Sequence, residues 1–541
     1  MTALKALKAL LLALVSMLSG VYAQQPVTTA SSAPVDSGRI VRIIRANRLT
    51  LIKTDSLTEK YILTGQVQLQ QDNTTFFCDS AIKDDKTNIV EAFGNIHIND
   101  ADSIHTYAQY LKYLGNSRMA TLKKKVKLTD GKGVLTTEEL QYDVGARIGF
   151  YQNGGKLVNG SSVLNSKEGY YYADTREAYF RKDVKLVDPE YTMATDTLLY
   201  NIDQELATFV SATTINDGRT LIRTRSGFYN LKTGQAQFGK RPTIEDSSQV
   251  VIADNIQYDK KAGAGIAEGN VLYRDTAQGV TMLSGFTAFN SVTGQVTASR
   301  KPVMILQQEG DSLYISADTL LSRKNVDSLW KIPEPSEGDS LAVSLPPSLV
   351  SVDTIRYFQA YNHVRIFSDS LQGVCDSLVY SSRDSVFRFF KDPVLWARDS
   401  QVSGDTIFLL TKNKKPDQIY VIDNGFSVNK TPQSLFNQIK GNTLNGVFRD
   451  GTIDYLRAKG SAESLYYLQE EDSSYFGMNY AKADAITMYF LNKELKKVTW
   501  VNGVEGTTWP FRQIPEDKKL LRNFKWQESR KPKTKYELFS N

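Results

Sequence analysis

Apolar and polar residues alternate with a period of two along short stretches of this chain, and the stretches recur. In Val67-Gln68-Leu69-Gln70 every second residue is apolar, the mark of a strand with one buried face. Ile96-His97-Ile98, Val126-Lys127-Leu128, Val184-Lys185-Leu186 and Val364-Arg365-Ile366 repeat it. Anchored on the first apolar residue, the series runs Val67, Ile96, Val126, Leu157, Val184, Thr214, Thr243, Val271 and Val303, with spacings of 27 to 32, then Val364 and Val394 after a doubled gap. The best copies read Ala-x-Gly-Asn-Val-x-apolar, as in Ala92 to Ile98 and Ala267 to Tyr273.

A second motif, small-Asp-x-apolar-x-Tyr, alternates with the first. It is clean at Ala253-Asp254-Asn255-Ile256-Gln257-Tyr258 and recurs at Cys375-Asp376-Ser377-Leu378-Val379-Tyr380. Tyr113, Tyr142, Tyr171, Tyr200, Tyr229 and Tyr258 are each 29 residues apart, and Phe289 follows after 31. The slot before the first strand holds Gly-Asn in two repeats and Pro242, Pro302 or Pro393 in three others. Glycine permits unusual φ, and proline fixes φ and lacks a donor, so the chain is expected to turn there and leave strands of roughly five to seven residues.

Two-strand units that cannot close a core alone must stack. The expected fold is therefore all-β: an elongated stacked-repeat array of about 29-residue, two-strand repeats with an apolar trough between two sheets. From Tyr61 to Gly506 there is room for about 15 repeats, and one strand per sheet per repeat gives a rod about 70 Å long. The segment 325–350 carries Pro333, Pro335, Pro346 and Pro347 and reads as a loop. The expected organisation is a signal peptide at 1–23, an N-terminal linker and lead-in at 24–60, a β array at 61–324, the Pro/Ser-rich loop at 325–350, a more divergent array at 351–510 and a basic tail at 511–541.

Composition narrows the function. The 541 residues are 41% hydrophobic and 23% charged with only 15 Pro, which excludes a disordered or collagen-like chain. There are 28 Tyr and 24 Phe but 3 His, so strand formers abound and the usual acid–base residue is scarce. Lys5 and Lys8, the apolar run Ala9 to Leu18 and Val21-Tyr22-Ala23 read as a secretory signal cleaved after Ala23. From Lys518 onward eight basic residues face two acidic ones, whereas Gln24 to Asp517 is close to neutral. Such a tail is expected to be solvated or to meet an anionic surface. Nothing in this charge pattern points to nucleic acid.

No chemistry stands out. His97, His105 and His363 form no ligand set with metal spacing, and no P-loop, G-x-S-x-G or dinucleotide fingerprint is present. Asp196, Asp254, Asp318 and Asp376 recur at one repeat slot; a glycosidase-like carboxylate pair is conceivable, but recurrence favours turn capping. The expectation is a protein that is not an enzyme and has no cofactor, metal or disulfide. Cys78 and Cys375 each follow an anchor by 11 residues, so a linear stack places them roughly 48 Å apart, beyond disulfide reach.

The tandem alternation of the two motifs behind a signal peptide resembles the organic-solvent-tolerance (OstA) family, the LptA-like domain of lipopolysaccharide transport that also begins LptD. Positions 91–113 and 264–290 carry the likeness best. The resemblance implies a β-jellyroll, or β-taco, whose trough shields lipid A acyl chains in a periplasmic bridge to the outer membrane. It implies lipopolysaccharide, an LptD-type outer-membrane barrel and head-to-tail copies of the chain as partners, and exported, periplasmic localisation with outer-membrane association. The expected lipid-contacting residues are Val67, Leu69, Ile96, Ile98, Val126, Leu128, Val184, Leu186, Val271, Val303, Val364 and Ile366. The chain is longer than LptA-type proteins and shows no barrel half. The rivals are a secreted carbohydrate-binding or adhesive β-solenoid, a soluble partner of an outer-membrane barrel, a transmembrane barrel, whose strands would need about 9–11 residues, and a β-helix enzyme acting on polysaccharide.

Overall fold

In a computed structural model, residues 40–540 are described except 56–57, 278, 308–310, 332–347, 414, 450–451, 471, 473 and 492–493. The expected signal peptide lies outside the described residues. Those described form forty β-strands, four 3-10 turns and no α-helix. The strands join one continuous antiparallel ladder that bends lengthwise into two facing sheets.

The bend is written in the backbone. Two consecutive residues with positive φ recur at Gly65-Gln66, Gly94-Asn95, Lys124-Lys125, Lys182-Asp183, Lys240-Arg241, Gly269-Asn270, Arg300-Lys301, Asn362-His363, Lys391-Asp392 and Asp423-Asn424. At each, pairing breaks and resumes: Thr64 faces Ser80, then Val67 faces Cys78. Phe93 faces Tyr110, then Ile96 faces Ala108. Each such bulge turns a strand from one sheet into the other.

This corrects the expected strand length. At several non-proline corners the strand runs on through the bend, as in Thr58–Gln71 and Ile89–Asp100, whereas it is interrupted without proline between Ile148–Tyr151 and Gly155–Asn159 and between Leu206–Phe209 and Thr213–Asn216. At Pro242, Pro302 and Pro393 the missing N–H splits it, giving Gln235–Gly239 with Thr243–Asp246 and Val386–Phe390 with Val394–Ala397. The small-Asp-x-apolar-x-Tyr half of each repeat is a second bent strand returning beside the first. Each repeat therefore adds two strands to each sheet, about 10 Å of length, and the array is about twice the expected 70 Å.

The boundaries shift as well. Arg42–Arg45 and Arg48–Asp55 already pair with Thr58–Gln71, so the array starts within the expected lead-in. Asn325 to Lys331 pairs with Ser348 to Ile355, which extends the strands into the expected loop and carries the sheet across it. Strand-forming residues such as Val326, Leu329, Trp330 and Val352 outweigh the flanking prolines there.

One contiguous core fills the space between the sheets, from Val41 through Leu122, Phe209, Ile256 and Leu320 to Met488. The C-terminal segment is not solvated as expected. It runs back over the outer face of the sheet that follows the corners. Gln438 Nε2 donates to Lys519 O at 3.1 Å, Gln401 Nε2 to Lys525 O at 2.7 Å, and Arg365 Nη2 to Glu537 Oε2 at 3.1 Å. The strip beneath is apolar: Val428, Leu465 and Met478 cluster with Ile514 and Leu521, and Phe436 packs on Phe524 and Trp526. Further along, Val394 and Trp396 form a buried patch beside Gln401. Basic residues of the segment join the contact at its edges: Arg530 reaches Asp392 at 2.7 Å, Lys531 donates to Arg398 O at 3.1 Å, and Lys535 lies over the Tyr314 ring.

Candidate lipid-binding trough

All twelve residues expected to line the trough are buried. Eleven belong to the core between the sheets, and Val303 does not. Pro302 takes the first slot past the Arg300-Lys301 corner, so the register moves by one. Met304 pairs with Ile315 inside, while Val303 pairs with Ser316 on the outer face. Most of the eleven pack against protein neighbours, but Leu128 and Leu186 border interior clefts. Leu128 lines a narrow one with Leu135, Tyr151, Leu157, Phe180 and Ile202.

The two sheets meet along the corners and part at a mouth formed by the hairpin tips. One tip series carries the 29-residue tyrosine ladder. The other carries Gln71, Asp100, Asp130, Asn159, Asp188, Asp217, Asp246 and Asp275, a polar period of 29 or 30 that the strand motifs did not reveal. In the first four repeats the two series bond across the mouth. Tyr113 Oη donates to Gln71. Tyr142 Oη donates to Asp100 Oδ2 at 2.8 Å, Tyr171 Oη to Asp130 Oδ2 at 2.8 Å, and Asn159 Nδ2 to Tyr200 Oη at 3.4 Å. Arginines 29 apart add to these links: Arg118 reaches Asp72 at 2.7 Å, Arg147 reaches Ser103 at 2.8 Å and Arg176 reaches Asp130 at 2.8 Å.

The electrostatics follow from burial. Burial, then the Asp100 charge, pushes the Tyr142 phenol well above its usual range, and burial with the bond to Asp130 does the same for Tyr171. Both phenols stay protonated donors. Burial of Asp130 would raise its pKa, but Gly133 N–H, Tyr171, Lys132 N–H and the Arg176 charge together hold it below the ordinary carboxylate range.

Beyond Tyr200 the links stop. Tyr229 meets Tyr191 edge-on at 5.8 Å, and Tyr191 keeps a buried hydroxyl with no hydrogen-bond partner. Lys260 reaches Glu190 at 3.0 Å across the mouth. Next to it lies a solvent-open cleft of about 1210 Å³. Ile244, Val251, Tyr273 and Val296 form its floor; Asp217, Arg219 and Asp246 stand on one rim, Tyr258 and Phe289 on the other.

The remaining candidate residues have structural partners. Asp79 accepts from Asn95 Nδ2 at 2.9 Å, Asp254 from Asn270 Nδ2 at 2.8 Å and Arg241 Nη1 at 3.0 Å, and Asp405 from Asn424 Nδ2 at 2.9 Å. Asp318 meets His363 Nδ1 at 3.0 Å, Asp376 meets Lys391 at 3.2 Å, and Asp196 takes the Thr197 hydroxyl at 3.0 Å. All of these aspartates except Asp196, whose partner is its own neighbour, thus brace corners along the outer bend. His97 and His105 lie 3.2 Å apart, with His97 stacked on Tyr107. Cys78 and Cys375 are buried and free, on the order of 90 Å apart by strand spacing.

No helix among the described residues is long and apolar enough to cross a membrane, which leaves strands aside. No curated protein matches the chain. Residues 39–196 match the family model described as OstA-like protein. That segment holds three of the four tyrosine links across the mouth and the Asn159 end of the fourth, and the same corner pairs continue beyond it. Over residues 39–196, therefore, the chain is similar to the OstA-like family.

Proposed function

We propose that this chain is a periplasmic carrier that holds the acyl chains of lipopolysaccharide between its two sheets on the way to the outer membrane. One observation carries the reading: an apolar interior continuous along the whole array, with a mouth along one side. Acyl chains crossing water need an unbroken apolar slot, and headgroups too large to enter need a slit through which to protrude. An LptD-type barrel and further copies of this chain are its natural neighbours, since a carrier must hand its cargo on. The role is binding, without a chemical step. Photoreactive residues at Ile98 or Val271 in living cells test it. Lipopolysaccharide adducts at these positions are the expected result; their absence from every inward position would overturn the reading.

A further inference from the structure

We propose that the mouth between Asp217 and Val296 is a lateral loading window, through which the acyl chain of an amphiphile enters the trough from the side and not from an end. The proposal rests on the acyl-carrier reading above and says where that carrier is loaded.

The repeat supplies its own control. Across the first four repeats a tip residue at positions 71, 100, 130 and 159 bonds a tyrosine 41 or 42 residues later. The same offset pairs Asp188 with Tyr229 and Asp217 with Tyr258. Neither pair makes a hydrogen bond, although both partners are present. At the following position the tyrosine is replaced by Phe289, which has no hydroxyl to offer Asp246. The links therefore fail in sequence, first by geometry and then by chemistry.

Burial of the aromatic ladder is lost one repeat after the links. Tyr113 and Tyr142 are 1% and 0% exposed, Tyr171 and Tyr200 are 6%, Tyr229 is 7%, and Tyr258 and Phe289 are only half-buried. The open stretch is bounded on both sides, by Lys260–Glu190 before it and by Arg356–Asp275, 4.0 Å apart, after it. Within it the floor is apolar, one rim is charged and the other aromatic, with Arg219 exposed and its side chain in no ion pair among the described residues. An acyl chain fits the floor. A headgroup stays at the rim, where Arg219 suits one bearing phosphate or carboxylate. In the latched section an acyl chain would have to break buried hydrogen bonds to enter and leave their partners unsatisfied.

The test uses the purified chain with a photoreactive phenylalanine at Val251, on the window floor, or at Leu122, in the latched core, and radiolabelled palmitate as probe. The window predicts that Val251 is labelled at least about tenfold faster than Leu122. Tyr142→Phe with Tyr113→Phe should narrow that gap by opening the first section. Arg219→Trp, on the exposed rim and outside the packed core, should slow labelling at Val251 severalfold. Equal labelling rates at the two positions, or an Arg219→Trp chain labelled as fast as its parent, would overturn the window and leave the carrier standing. No labelling at either position would overturn the carrier reading, and the window with it.

Discussion

The phenol of Tyr142 and the carboxylate of Asp100, 42 residues apart in the chain, meet across the open side of the two sheets at 2.8 Å. Asp100 also accepts from Thr74 Oγ1 at 2.8 Å, so one carboxylate ties three strands. Tyr142→Phe strands a buried oxygen and should cost about 1–3 kcal/mol. Because stacked repeats contact only their neighbours, the loss should be local. Hydrogen exchange should quicken over residues 96–142 and stay unchanged beyond 400. Uniform loosening along the chain would contradict a linear array.

Asp130 gives this region an acid limit. Its folded pKa lies below the unfolded value, so its contribution is complete above about pH 4 and is lost as pH falls through the depressed folded value. Asp130→Asn should therefore destabilise the protein at pH 7, with the difference from the parent shrinking toward pH 3. Thermal unfolding at the two pH values measures this. A difference that stays constant would show that the carboxylate charge is not what holds Tyr171 and Arg176.

The corners should resist even small changes. Gly269 has a φ of +76°, and an added Cβ would lie 2.4 Å from Asp254 Oδ2, the oxygen that holds Asn270. Gly269→Ala is expected to cost about 1–3 kcal/mol through backbone strain and the displaced carboxylate. Gly131→Ala, at φ +85° in open space, carries the strain without the clash and should cost less. Denaturant unfolding of the two variants separates the terms.

Both thiols should be silent in the native protein. Burial pushes Cys78 and Cys375 up to about 12, so neither forms appreciable thiolate at pH 8. A disulfide-exchange reagent should label neither thiol before unfolding and both afterwards. Rapid labelling of the native chain would show that the cores around them open.

The C-terminal segment should behave as part of the fold. Leu521→Asp puts a charge among Val428, Leu465 and Met478 and should release the segment. Limited proteolysis should then cut between 511 and 540, and a dye that binds apolar surface should report the uncovered strip. An equally resistant variant would mean that Leu521 does not anchor the segment.

Much of this architecture was legible in the sequence, for a physical reason. Period-two alternation and a repeat near 29 residues state directly which faces are buried and how the chain stacks. Val67, Ile96, Val126, Val184, Val271 and Val364 fell where expected because each follows its corner pair directly. Val303 did not, because proline occupies the slot that valine fills elsewhere, and one residue of slip exchanges the faces of a strand. The number of strands per repeat was underestimated because a bulge bends a strand without ending its pairing. The tyrosine links involve residues some 42 apart, each from its own periodic series, and the polar series was hidden among ordinary turn residues. The covered outer face did leave a trace: Val394-Leu395-Trp396 is apolar without alternation, as a strand buried on both sides should be.

The segment that covers the outer face also sets how far a local opening spreads. Stacked repeats contact only their neighbours, yet Lys525 and Glu537 meet Gln401 and Arg365, 124 and 172 residues upstream. A disturbance at Val394, Trp396, Val428 or Leu465 is therefore felt at residues far away in sequence, and the reverse holds as well. Peeling the segment away would bare that apolar strip, and bared apolar surface is where partly folded chains aggregate. One strap thus turns this stretch of a repeat array, which could otherwise fray strand by strand, into a unit that opens together or not at all.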